Sequence, residues 1–198
     1  MARVIAGAAG GRRLAVPDGR GTRPTSDRAR EGLFATIVSM TGSLAGARVL
    51  DLYAGSGAVG LEALSRGAEH VLLVESGPRA GRVIRDNIEA IGLTGAEVVT
   101  GRVERVLARG PDRGRYDIVF ADPPYALAAD EVSGMLVALA DRGWLAPGAL
   151  VIVERATRSG PVNWPAGFAA DRARRYGEAT FWYGRGPSGP DPQKLAEP

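Results

Sequence analysis

The sequence predicts an α/β domain in which a mostly parallel β-sheet is covered by helices on both faces. Three observations predict it. Short, nearly unbroken apolar strands alternate with amphipathic helices from residue 48 onward, the pattern of strands buried on both sides. A glycine loop, Gly55-Ser56-Gly57-Ala58-Val59-Gly60, follows the first of those strands and opens a helix, as in doubly wound nucleotide-binding sheets. An Asp122-Pro123-Pro124-Tyr125 run ends a later apolar strand, at the edge where such sheets bind ligands.

The elements follow in order. Arg3–Ile5 and Arg13–Val16, with glycines between them, read as a short β-hairpin. Thr25, Ser26 and Asp27 offer capping oxygens for a helix whose apolar face is Ala29, Leu33, Phe34, Ile37 and Val38, with Arg28 and Arg30 on the opposite face. Arg48–Tyr53 is the first sheet strand, and a helix runs from the glycine loop to about Arg66. Val71–Glu75 is the second strand. Ser76 is placed to cap a helix that begins near Pro78, buries Val83, Ile84, Ile88 and Ile91, and stops at Gly92. Val98–Thr100, Tyr116–Ala121 and Leu150–Glu154 are further strands, the last preceded by a helix carrying Val132, Met135, Leu136 and Leu139. Phe168–Tyr176 and Ala179–Tyr183 form a closing antiparallel hairpin turned at Gly177. His70 falls beside the second strand as a surface loop residue, and Trp144, Trp164 and Trp182 are packing groups.

Composition bounds the function. The 198 residues suffice for one domain with a core of its own. There is no cysteine and one histidine, which excludes disulfides, thiolate metal sites and His-rich metal sites; no metal is expected. Apolar runs such as Ala149–Val153 fall far short of the ~20 residues that span a bilayer. The expectation is a cytoplasmic monomer with no membrane contact. The formal charge of +3 is unevenly placed. Residues 1–30 hold seven arginines against Asp18 and Asp27, and residues 31–198 are slightly acidic. A basic cluster at one end fits an acidic partner such as a nucleic acid. Arginines 12, 13, 23, 28 and 30 are the candidates to grip phosphates. Three segments result: a basic hairpin extension (1–24), a catalytic domain (25–184) and a Pro/Gly-rich loose tail (185–198).

The glycine loop carries the first chemistry. Glycines there let a ligand approach the backbone, and Glu75, at the end of the next strand, is placed to bond ribose hydroxyls. Asp51, at the mouth of the loop, would repel a pyrophosphate but suits a cation. That favours S-adenosylmethionine, with its sulfonium and ammonium, over NAD. Asp51 can equally be a buried cap of the loop amides.

The second motif supplies acceptors and a ring. Asp122 and the Pro123 carbonyl can take the two hydrogens of an exocyclic amine on a planar base, and Tyr125 can stack on its face, worth ~1–3 kcal/mol. The plain alternative is a strand-ending Asp-Pro-Pro turn.

Together these residues resemble a known family. Asp122–Tyr125 is similar to the amino-methyltransferase signature and Asp51–Gly57 to its adenosylmethionine loop. The stretch Thr22-Arg23-Pro24-Thr25-Ser26-Asp27-Arg28-Ala29-Arg30-Glu31 resembles the RsmD family of bacterial 16S rRNA guanine-N2 methyltransferases, as do Arg12 and the closing Arg175-Tyr176-Gly177. The likeness covers about residues 3–184. It implies a Rossmann-like class I methyltransferase: a seven-stranded sheet with its last strand antiparallel, plus the N-terminal hairpin. It further implies that Asp51, Ala54, Gly55, Ser56 and Gly57 hold the methionine moiety and Glu75 the ribose. Arg102 and Val103 would border the adenine, although Val103 fits helix core as well. Asp122, Pro123 and Tyr125 would be catalytic, and the partner would be 16S rRNA or the assembling small ribosomal subunit. Competing readings are a DNA or RNA adenine-N6 methyltransferase, a protein-glutamine methyltransferase, an NAD-linked oxidoreductase and a non-catalytic RNA-binding assembly factor. The oxidoreductase leaves Asp51 and Asp122–Tyr125 without a role, and a DNA enzyme lacks room for a separate target-recognition domain.

Overall fold

A computed structural model describes residues 2–17 and 26–188. Arg23, Thr25 and the end of the tail lie outside them. The chain begins with a two-stranded antiparallel sheet, β1 (Ala2–Arg3) and β2 (Arg13–Leu14). Next come α1 (Asp27–Thr41), β3 (Arg48–Leu52), α2 (Ala58–Ser65), β4 (His70–Glu75), α3 (Pro78–Ile91) and β5 (Ala96–Thr100). Then follow α4 (Val103–Arg109), β6 (Tyr116–Ala121), α5 (Ala129–Asp141), β7 (Leu145–Ala156), β8 (Ala169–Tyr176) and β9 (Ala179–Arg185).

Strands β3 to β9 make one seven-stranded sheet in the order β5-β4-β3-β6-β7-β9-β8. The pairs among β3 to β7 are parallel, and β9 is antiparallel to both β7 and β8. This is a Rossmann-like sheet with an antiparallel last strand, as the resemblance implies. The chain leaves β3 toward β4 on one side and returns through β6 on the other, so the order reverses between β3 and β6. A crevice must open there at the carboxyl ends of the strands.

Alternation along each strand splits the core into two layers. Leu50, Leu52, Val74, Val119, Ala121, Val151 and Val153 face α4 and α5. Val49, Val71, Leu73, Ile118, Phe120, Leu150 and Ile152 face α1, α2 and α3. Burying each such side chain contributes about 1.5–3 kcal/mol. Trp144 is buried and donates its indole N–H to the Leu107 carbonyl at 3.0 Å.

Several elements differ from expectation for local reasons. Strand β7 starts five residues early, because a register shift opposite Tyr116–Ile118 lets Leu145 pair with Tyr116 ahead of the Pro147-Gly148 interruption. His70 opens β4 rather than lying in a loop. Ser26 caps α1 as expected, accepting from the Ala29 amide at 3.2 Å. Ser76 does not cap α3; the cap residue is Gly77, whose amide donates to Glu75 Oε1 at 2.7 Å.

The hairpin ladder is shorter than the sequence pattern because helix side chains take over its backbone groups. Glu62 of α2, fully buried, accepts from the amides of Ile5 (2.6 Å) and Ala6 (3.0 Å) and from Arg66 Nε (2.7 Å). Ser65 accepts from the Ala9 amide and donates to the Ala6 carbonyl. Asn87 of α3 bonds both backbone groups of Ala15 and also donates to the Ser56 carbonyl. Val4, Ala9, Leu14, Leu61 and Ile91 close a small third core beneath the hairpin.

Removing the Glu62 carboxylate strands two amides and the Arg66 guanidinium, a loss of about 2–4 kcal/mol. Glu62→Ala is expected to lower the urea midpoint accordingly and to expose residues 2–17 to limited proteolysis before the sheet unfolds. Unaltered proteolysis of that segment would refute the role.

Candidate active site

The crevice between β3 and β6 is a cleft of about 330 Å³, within the size range of small-molecule sites. Its floor is the exit of β3. Asp51 and Leu52 are the last two residues of that strand and both are buried, and the chain then turns through Tyr53, whose φ of 61° is the one positive value at a non-glycine among the described residues. Such strain costs about 1–3 kcal/mol and gathers at functional sites. Gly55 (φ 56°) and Gly57 (φ 77°) continue the turn. A Cβ on Gly55 would meet no atom within 4 Å, so this glycine borders open space. A Cβ on Gly60 would fall 2.8 Å from Val71 and 2.9 Å from Leu73, so that glycine sets how closely α2 lies on the sheet.

Two carboxylates hold this loop. Asp51 accepts from the Gly60 amide at 2.8 Å. Glu75, at the end of β4, accepts from Gly55 N–H at 2.9 Å through one oxygen and from Gly77 N–H at 2.7 Å through the other. Burial raises the Asp51 carboxyl to about 7; the Gly60 amide opposes the rise and the charge of Glu75 adds to it. Asp51 is thus both things the sequence allowed: a cap of a loop amide and a carboxyl lining the cleft.

The opposite wall is Asp122–Tyr125. Asp122 follows β6, and its amide donates to the Leu52 carbonyl at 3.3 Å. Pro123 is buried, and Tyr125 is 47% exposed at the rim. Tyr125 sits in a turn closed by the Leu127 amide on the Pro124 carbonyl at 2.8 Å. Arg155 of β7 tethers that turn by donating to the Leu127 carbonyl at 2.9 Å. Burial holds the Asp122 carboxyl well above its ordinary range, and the charges of Glu154 and Asp51 add to the effect.

Of the predicted residues, Asp51, Ala54, Gly55, Ser56, Glu75, Asp122, Pro123 and Tyr125 all line this one cleft. Gly57 lies just behind it as the cap residue of α2. Arg102 and Val103 do not line it. Arg102 is exposed beside Glu104 at 3.4 Å, and Val103 is 2% exposed in the core against α5. Arg13 and Arg28 are exposed. Arg12 is exposed too, but its guanidinium already caps the Ala90 and Ile91 carbonyls at the end of α3.

Arg30 is a correction. It was expected on an outer face, yet it is fully buried beneath the hairpin, donating to the Arg3 carbonyl at 2.6 Å and to Asp27 at 2.8 Å. It locks the hairpin onto α1 and is not presented to a ligand.

Sequence reasoning missed Tyr53, Phe120 and the hairpin residues Val16 and Pro17, all of which line the cleft. It also missed Glu154, buried at 5% exposure beside Asp122. The signal was available: Glu154 ends its apolar strand as Glu75 ends its own. Among the described residues no cluster of metal-ligating side chains occurs, and no helix is long and apolar enough to cross a membrane.

The family profile described as "Conserved hypothetical protein 95" matches residues 2–185. The ribosomal RNA small subunit methyltransferase D of Escherichia coli is 37% identical over 180 residues, covering 90% of this chain and 87% of that protein. The Haemophilus influenzae protein of the same name is 34% identical over 154 residues, 77% of each. The solved structure titled "Putative methyltransferase yhhF from Escherichia coli" superposes with a TM-score of 0.82 at 33% identity, over 94% of this chain and 98% of that one.

If Glu154 raises Asp122 by its charge, Glu154→Gln must lower the Asp122 pKa. Carboxyl carbon NMR titration of Asp122 in the two proteins measures this, and coincident curves would remove Glu154 from the electrostatics of the site.

Proposed function

The chain belongs to the RsmD family, and from that we propose that it transfers the methyl group of S-adenosylmethionine to the exocyclic N2 of one guanine in 16S rRNA, in the assembling small ribosomal subunit. The observation that carries this reading is the placement of Asp122–Tyr125 across one cleft from Asp51, the glycine loop and Glu75.

The residues present fit the cofactor. Asp51, a buried carboxyl with only one bond from the loop, suits a cationic sulfonium or ammonium. Gly55 lets a ligand lie against the backbone, and Glu75 keeps lone pairs for ribose hydroxyls beyond the two amides that it accepts. When bound, S-adenosylmethionine supplies a methyl group on an already activated sulfonium, so positioning does much of the remaining work.

The lone pair of guanine N2 is delocalised into its ring. In the proposed pose one N2–H donates to Asp122 and the other to the Pro123 carbonyl, which draws the nitrogen toward tetrahedral geometry. Tyr125 stacks on the base and fixes its plane. Positive charge develops on N2 as the new N–C bond forms, and the Asp122 carboxylate stabilises it. A carboxyl held high by burial, and further by the charges of Glu154 and Asp51, also serves as the acceptor for the proton that N2 then loses. Reaching this pose requires the guanine to leave any stack, as expected for unpaired RNA. Arg13 and Arg28, with Arg12 and Arg23, are proposed to hold flanking phosphates.

Incubation with labelled S-adenosylmethionine and naked rRNA, small-subunit particles, DNA or protein tests the reading. The label is expected as N2-methylguanine at one site of 16S rRNA; label on adenine N6, DNA or protein would overturn it. Asp122→Ala is expected to cut turnover by at least roughly 10²–10³-fold, leaving cofactor affinity and the melting curve nearly unchanged. Retained turnover would sink the catalytic role. The raised Asp51 carboxyl sets a pH dependence. Protonation near 7 removes the charge that a cation needs, so cofactor affinity is expected to strengthen as pH rises from 6 to 8. In Asp51→Asn, titration calorimetry should find affinity weak and flat across that range.

A further inference from the structure

The register of the sheet carries positive charge to the level of Asp122 on a strand to which no ligand contact has been assigned above. Ala121 pairs with Val153, so Asp122 and Glu154 continue one cross-sheet row. Glu154 pairs with Phe181, and Phe181 with Arg174. Residues of one row face the same side of a sheet. Arg174 therefore lies level with Asp122 and on its face, three strands away, or roughly 14–15 Å.

Arg172 is two residues back on the same face, and the charges of both arginines reach the Tyr183 hydroxyl. Arg175 stands beside the closing turn, its Nε donating to the Gly177 carbonyl at 2.9 Å. Arg28 joins from α1: Gly32, one turn further along, packs so closely on Tyr176 that a Cβ would lie 2.1 Å from its hydroxyl. Strand β8 is exposed at every residue but its last. Asp171 pairs with Arg172 at 2.8 Å and offsets one of these charges.

Charged side chains on an edge strand also block edge-to-edge pairing. That role is indifferent to sign and to level along the strand. Here Arg172 and Arg174 share the face of Asp122, and Arg175, the next residue, carries the same charge round the strand's open edge to the other face; such a one-signed edge repels itself unless it meets a polyanion. We propose that the exposed strand β8, through Arg172, Arg174 and Arg175 together with Arg28, binds the phosphates of RNA flanking the base held at Asp122. This rests on the RNA methyltransferase reading and extends its contact surface from the N-terminal hairpin to the far edge of the sheet.

The test compares the full chain with Arg172→Gln/Arg174→Gln/Arg175→Gln and with the corresponding triple Lys variant, using small-subunit particles as the RNA. For the Gln variant the slope of log affinity against log salt is expected to fall by about 2, at ~0.7 per single-strand phosphate contact. KM for RNA should rise while kcat and cofactor affinity stay unchanged, and the Lys variant should keep most of the slope. Where the triple variant melts early, Arg174→Gln alone is read, with an expected loss of ~0.7. An unchanged slope and KM overturn the proposal, as does a Gln variant that dimerises in sedimentation with RNA binding intact, since that is the edge-blocking role. A wild-type chain that binds the particles with this slope but methylates nothing refutes the methyltransferase reading and leaves the surface standing.

Discussion

Backbone amides that no strand or helix can pair, answered by buried carboxylates, are the constraint on which this structure turns. A parallel strand ends by releasing its last N–H and C=O groups, and a helix begins with N–H groups that lack partners. At the crevice Asp51 takes the Gly60 amide, and Glu75 takes those of Gly55 and Gly77. On the other side of α2, Glu62 takes the amides of Ile5 and Ala6. Each carboxylate closes a loop that could otherwise adopt many paths. The glycine loop and the hairpin thus owe their shapes to acids on neighbouring elements.

Burying acids so close together has an electrostatic cost, and it falls unequally. Glu62 has Arg66 at 2.7 Å. At the cleft the charges of Glu75, Glu154 and Asp51 push upward on Asp51 and Asp122 instead. Taking an acid out of water beside other acids is unfavourable. A positively charged ligand would relieve that repulsion, which a neutral or anionic one would not. The charge of the cleft therefore suits a cation, and this separates it from a pyrophosphate site built on the same glycine spacing.

Much of this was legible in the sequence, for physical reasons that also explain where legibility stopped. Strand and helix alternation reads well because parallel strands must be apolar on both faces, and Tyr116–Ala121 was placed to the residue. The glycine loop and Asp122–Tyr125 read well as cleft walls because the residues that line the cleft are contiguous at strand ends. Contacts between distant segments left no local mark. Arg30 looks exposed on an isolated amphipathic helix, yet a second layer, the hairpin, covers that side. Arg102 and Val103 follow a strand at the correct edge, but α4 turns Val103 down into the core. Ser76 is a good cap by type but lies one residue too early, because Glu75 already serves the Gly77 amide. Asn87 gives no signal at all, since its partners are 72 and 31 residues away.

That last residue changes how the N-terminal segment relates to the chemistry. Composition marks residues 1–30 as a basic arm and suggests a grip separate from the catalytic domain. In the fold one amide of α3 joins Ala15 of that segment to Ser56 of the glycine loop. Val16 and Pro17, the next residues, form part of the cleft wall. A segment that borders the cleft and shares a hydrogen-bonded side chain with its glycine loop cannot shift without disturbing that cleft. Arg13 lies two residues before Ala15 on this held stretch, so the charge it exposes stands at a set distance from the cleft. The exposed charge of the hairpin and the wall of the cleft are thereby parts of one hydrogen-bonded unit.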